Sequence, residues 1–172
     1  MIRFLGSVLI IGAALWFGAY FAMQEKYRLQ ELEELERGLI YLQGQISYLS
    51  APLAEAIGNI SWKMNGQLGT LFQQIAEKLE ERQGDSAEKI WQEIWENGRG
   101  ATFLSSEDID AVFLFGKSLG YLDKAQQENS IHLLLRYIEN ALEQGRKRLE
   151  KNGRLYYGMG GLSGLLIVVT LL

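Results

Sequence analysis

Few residues in this chain of 172 have the type and spacing to do chemistry. There is no cysteine and a single histidine, which excludes a thiol nucleophile, a zinc–thiolate centre, a disulfide scaffold and a lipidated cysteine anchor. His132 stands four residues after Glu128, a helical spacing that offers two ligands to a metal. Such a site needs further ligands, so His132 is expected to be a surface or packed side chain. Glu107, Asp108 and Asp110 form a carboxylate cluster of the kind used in general acid–base catalysis. They fall in the first turn of an expected helix, where negative charge suits the dipole and caps free N–H groups. Capping is therefore the expectation. The run Glu31, Glu33, Glu34 and Glu36 reads as a solvated face. Gly158-Met159-Gly160-Gly161-Leu162-Ser163-Gly164 has the outline of a dinucleotide loop, but its third glycine falls on Ser163 and no strand precedes it. No catalytic, cofactor or metal residue is expected, and the chain is not expected to be an enzyme.

The remaining clusters point to surfaces. Arg146, Lys147, Arg148, Lys151 and Arg154 form a basic cluster followed by Tyr156 and Tyr157. Directly before an apolar run, this pattern fits an anionic membrane surface, with tyrosines at the interface. The net charge of −4 argues against a nucleic-acid partner. Gly160 and Gly164 make a small-xxx-small pair, and Ala14, Gly18 and Ala22 give the first apolar run a matching small face. Faces of this kind let membrane helices approach closely. Trp91 and Trp95 lie one helical turn apart and are expected to complete a core; a docking patch is the other reading of the pair.

What must position these residues is legible in the charge map. Residues 4–24 and 155–172 carry no charge, runs of 21 and 18. At about 1.5 Å per helical residue they reach roughly 31 and 27 Å, against a hydrocarbon core of about 30 Å. Both are expected to be transmembrane helices. The weak positive start Met1-Ile2-Arg3 could open a signal peptide. The apolar stretch, however, exceeds the usual h-region of about 7–15 residues, and a cut after Ala22 sets Tyr20 where a small residue belongs. All 21 acidic residues lie between the runs with 16 of the 17 basic ones, a net of −5. Basic flanks on the inner sides of both runs predict that this intervening part is cytoplasmic. The expected division is residues 1–24 as one transmembrane helix, 25–154 as a cytoplasmic helical bundle and 155–172 as a second transmembrane helix.

The periodicity between the runs is helical throughout. Leu32, Leu35, Leu39, Leu42, Ile46 and Leu49 follow heptad spacing, continuing the first apolar helix until about Tyr48–Ala51, where Pro52 ends it. A second helix begins at Pro52 with the stripe Leu53, Ala56, Ile57, Ile60 and Met64. A third starts near Gly66 with Leu68, Leu71, Phe72, Ile75 and Leu79, and ends at Gly84. Asp85-x-x-Glu88 predicts the cap of a fourth helix, closed by Gly98 and Gly100. Ser105-x-x-Asp108 caps a fifth, with Leu104 and Ile109 as a hydrophobic staple and Val112, Phe113, Gly116 and Leu119 on its stripe. Asp123-x-x-Gln126 caps the sixth, whose stripe is Ile131, Leu134, Leu135, Ile138, Leu142, Gly145 and Leu149. The fold class is all-α, a bundle of about six helices whose first and last members extend into the two spans and lie roughly antiparallel.

Several of these segments together resemble the stage III sporulation protein AB family. The resemblance rests on residues 30–56, with the leucine repeat running into Pro52, Leu53 and Glu55, and on residues 115–123, with Leu119, Gly120 and Asp123, followed by Gln127 and His132. Residues 5–10 and 161–166 match as well, so the resemblance runs through the chain in order. Gly38 and Gly44 interrupt the expected first helix, and Leu122 precedes Asp123 where a small polar cap is expected.

The resemblance implies a membrane component of the channel complex between mother cell and forespore, needed for endospore formation. It implies a soluble domain similar to the cytoplasmic helical domains of the type II secretion inner-membrane platform protein. It further implies a secretion-type ATPase and other membrane components of the complex as partners, with the protein in the mother-cell membrane around the forespore. The alternative is a small-molecule-sensing membrane receptor, which would need a buried pocket with converging polar groups.

Overall fold

In the computed structural model, the backbone is described for residues 2–49, 51–81, 84–119 and 124–171. Side chains are described for 20–48, 51–81, 84–119 and 125–151, and at Gly12 and Trp16. Among the described residues the regular structure is helical throughout. The helices are α1 (Ile2–Gly44), α2 (Leu53–Ser61), α3 (Gly66–Glu80), α4 (Ala87–Gly98), α5 (Ser106–Ser118) and α6 (Lys124–Leu171). A π-helical turn, Gln45–Leu49, follows α1, and a 3-10 turn, Arg99–Ala101, follows α4.

The chain divides into two compact units. One groups residues 1–27 with 143–172, and the other comprises residues 28–142. The first contains the stretches of α1 and α6 nearest the chain ends. Its described side chains include the exposed aromatics Trp16, Tyr20 and Phe21, the last two meeting edge to face. Among the described residues no helix is long and apolar enough to cross a membrane. The uncharged runs themselves fall mostly on side chains outside the described residues. So do those of Ala14, Gly18, Arg154, Tyr156 and Tyr157, the glycines Gly160 and Gly164, and the loop positions Gly120 and Asp123.

The second unit is built around the leucine seam. Leu32, Leu35, Leu39 and Leu42 are at most 1% exposed and Ile46 is buried beside them. Burying each such side chain contributes about 1.5–3 kcal/mol. Helices α2, α3, α4 and α5 pack in sequence, each on the next. Their apolar stripes close the core through Ile57, Ile60, Phe72, Ile75, Trp91 and Trp95. In this unit α6 runs antiparallel to α1. Gln43 Nε2 lies 2.9 Å from His132 Nε2, and Ser47 Oγ of the π turn donates to Glu128 Oε1 at 2.7 Å, so four residues onward from Gln43 is four residues back in α6.

Local chemistry sets the breaks. The α1 hydrogen-bonding pattern widens after Gly44 into the π turn, and the Ala51 N–H closes it on Gln45 O. Gly38 does not interrupt α1: a Cβ there would lie 2.6 Å from Met64 Cε, so it admits the α2–α3 loop against the helix. Gly66 and Gly84 take φ of +58° and +86°, values that favour glycine, at the two ends of α3. The cap of α4 is one residue later than the sequence predicts. Ser86 Oγ accepts the Lys89 N–H, while Asp85 instead pairs with Lys89 Nζ at 2.6 Å. On α5 the buried aromatic is Phe115 rather than Phe113, because that helix is covered on two sides, by α4 and by α6, and its buried arc is wider than one stripe.

Candidate functional site

Three helices of the second unit bring polar side chains to one buried carboxylate, Asp108. Ser105 caps α5, its Oγ accepting the Asp108 N–H, while Asp108 Oδ2 accepts the Ser105 N–H at 2.8 Å, a complete capping box. The staple residues Leu104 and Ile109 are both buried. Asp108 does more than cap. Its side chain is 1% exposed, and Arg28 of α1 binds it with both arms, Nε to Oδ2 at 2.6 Å and Nη2 to Oδ1 at 2.9 Å. The Tyr137 hydroxyl of α6 donates to Oδ1 at 2.9 Å. Each carboxylate oxygen thus accepts two hydrogen bonds, which fills its acceptor capacity.

The electrostatics follow. Burial pushes the Asp108 carboxyl upward. The hydrogen bonds and charge of Arg28, the Ser105 N–H and the Tyr137 hydroxyl together outweigh burial and hold it below the usual carboxylate range. Burial and then the adjacent Asp108 carboxylate push the Tyr137 phenol well above its ordinary value, so it stays protonated as a donor. One turn along α1, Glu31 Oε2 accepts the Phe103 N–H at 2.7 Å, and its carboxyl is raised chiefly by burial. Glu34 Oε1 accepts both the backbone and side-chain N–H groups of Asn65. The glutamate run is therefore not simply a solvated face: none of its four members is fully exposed, and two of them tie down loops by their backbone.

This arrangement fastens α1, α5 and α6 at one point. Glu107 and Asp110 are exposed while Asp108 is buried, and Glu107 bonds the same cap residue, Ser105, with its carboxyl held below the usual range chiefly by that bond, so Glu107 and Asp108 serve the cap of α5. His132 is exposed and bonded to Gln43, and Glu128 bonds Ser47 rather than sharing a ligand position with His132. Among the described residues no three potential ligands gather at one point. The buried polar groups that do converge bond one another, which is not the open polar pocket that a receptor reading requires.

The other positions singled out in the sequence scatter. Pro52 and Glu55 are exposed, Leu53 and Gln127 half-buried and Leu119 buried. Arg146, Lys147, Arg148 and Lys151 are exposed, Lys147 pairing with Glu143 at 2.5 Å, and Ala22 is half-buried. Trp91 and Trp95 are core. Trp91 Nε1 donates to Val112 O at 3.0 Å, and Phe72 meets both indoles edge to face. The sequence reading missed Arg28 and Tyr137. Each carried a signal: Arg28 lies four residues before Leu32 and Tyr137 three after Leu134, so both fall on buried helix faces.

In class, this is an all-helical bundle braced by a buried ion pair. A family model, that of Stage III sporulation protein AB, matches residues 3–172, and the chain belongs to this family. It is similar to the Stage III sporulation protein AB of Bacillus subtilis (strain 168), 27% identical over 172 residues that span all of both chains. A solved structure of a Stage III sporulation protein AB shares the fold, with a TM-score of 0.67 at 23% identity over 72% of this chain and 97% of that one. A role in sporulation follows from the family.

Proposed function

We propose that the chain is a non-enzymatic, membrane-anchored component of the channel complex between mother cell and forespore, and that its acidic bundle docks a secretion-type ATPase on the cytoplasmic side of the mother-cell membrane. One observation carries the reading. Helices α1 and α6 each run on, without a helical break, from the packed unit into an uncharged stretch, residues 4–24 and 155–172. Charge divides in the same sense. Residues 28–142 hold ten basic and eighteen acidic side chains, a net of −8, whereas residues 1–27 with 143–172 hold seven and three, a net of +4. Basic residues beside an anionic leaflet contribute about 1 kcal/mol each. The acidic unit would be left to a partner in the cytoplasm, where its charge would speed association more than fix affinity.

Co-purification of the full-length protein with the ATPase from co-expressing cells tests the reading. The control lacks residues 51–123 and keeps both long helices. Capture that requires residues 51–123 supports docking on the bundle. Failure of the intact protein to capture the ATPase removes the docking half of the proposal.

A further inference from the structure

Two exposed leucines on adjacent helices share one groove. Leu114 of α5 is 68% exposed and Leu133 of α6 is 60% exposed. A single exposed leucine is ordinary. These two line the same groove between α5 and α6. Leu114 also borders a second, open groove between α4 and α5, where it meets Phe113, the acids Glu93, Glu96 and Asp110, and one cation, Lys117, so that the charged lining is acidic by three to one. Across three helices the surface is thus an apolar strip with three carboxylates and one lysine along one side.

We infer that this face receives a helix of another protein, one with an apolar stripe flanked by Lys or Arg. The inference rests on the docking reading above and names the surface and the chemistry of the partner. Charge complementarity selects the occupant. Glu93 and Glu96 hold only exposed ion pairs, to Lys78 at 2.9 Å and Arg99 at 3.7 Å. Such pairs are weak and readily exchanged for an incoming cation. Asp110 has no partner among the described residues. A second copy of the chain is disfavoured, because symmetric pairing over this face would set the same acids against each other on units that each carry −8. An anionic membrane surface is repelled for the same reason. An amphipathic helix laid in an apolar groove is a recurring mode of recognition, and its anchors would fall beside Leu114 and Leu133.

The test uses the full-length protein in sporulating cells, with the photo-crosslinking residue p-benzoylphenylalanine at position 114 and, as control, at the still more exposed Trp62. The expected result is an adduct from position 114 alone, mapped by mass spectrometry to a Lys/Arg-flanked apolar helix. It should weaken at least tenfold in the E93K/E96K/D110K background. An adduct with another copy of this chain or with lipid, no adduct, or an adduct indifferent to the charge reversal overturns the inference. The ATPase capture assay separates the two readings. If wild type captures the ATPase and L114E/L133E loses it tenfold with an unchanged urea midpoint, both stand. Should the double variant capture it equally, the groove is not the ATPase site and the inference falls while the docking reading survives. If wild type captures nothing, the docking reading falls and the crosslink alone decides the groove.

Discussion

Asp108 concentrates the energetics of the second unit in one side chain. Asp108→Asn removes the carboxylate charge that both arms of Arg28 face, in a pair whose side chains are 1% and 12% exposed. Breaking a buried pair by removing one partner costs about 3–5 kcal/mol, and urea unfolding at pH 7 should show a loss of about 3 kcal/mol. The pH dependence has a definite sign. The folded carboxyl is held below its unfolded value of about 3.9. Its contribution is therefore full above that value and is lost as pH falls through the folded pKa. The stability gap between wild type and Asp108→Asn should narrow when the urea midpoints are measured at pH 3 instead of 7. Gly116 illustrates a second residue-scale constraint. A Cβ there would strike the Trp91 indole ring, which is itself fixed by its bond to Val112 O. Gly116→Ala should cost about 1–3 kcal/mol, as overpacking of a filled core does, with a change in tryptophan fluorescence in the folded state.

At the scale of elements, glycines separate those a helix tolerates from those a contact requires. Gly44 closes α1 with nothing within 4 Å of an added Cβ, whereas Gly98 at the end of α4 is met by the Leu71 side chain. Gly44→Ala should raise stability by about 0.5–1 kcal/mol, the usual gain from restricting the unfolded chain. Gly98→Ala should lower it by a similar amount or more, because Leu71 is buried and has little room to yield. Thermal unfolding of the two variants should therefore shift in opposite directions. The helix borders follow local chemistry that is legible in sequence, such as Pro52 before α2 and the Ser105–Asp108 box of α5. The start of α4 lies one residue beyond the sequence expectation because Asp85 and Ser86 both suit a cap. Lys89 decides between them, taking Asp85 with its side chain and leaving its N–H to Ser86.

For the whole molecule, the segregation of charge is the property with consequences. A unit of −8 and a unit of +4 in one chain would respond oppositely to an anionic surface. The proposal of two membrane spans makes a graded prediction. After alkaline carbonate extraction the full-length chain should stay in the membrane pellet, and so should a chain lacking residues 155–172. A chain lacking both 1–24 and 155–172 should be released to the supernatant. Release of the intact protein would overturn the spanning assignment.

Sequence alone determined the helical class, the order of the elements and the buried seam, because these depend on periodicity, and a helix shows its neighbours in sequence on its own face. The seam from Leu32 to Ile46 and the Trp91–Trp95 core were legible in that way, whereas the antiparallel run of α6 along α1 was expected only from the reading that both helices enter one membrane, and it is seen in the pairs Gln43–His132 and Ser47–Glu128. Tertiary structure alone decided which polar residues meet. Arg28, Asp108 and Tyr137 lie 80 and 29 residues apart along the chain, on three helices, and no local pattern couples them. The same holds for Glu31 with Phe103 and for Leu114 with Leu133. Spacing states which face of a helix a residue occupies. Which other face it meets depends on how the helices pack, and the partners that fill the four acceptor sites of Asp108 are known only once they do.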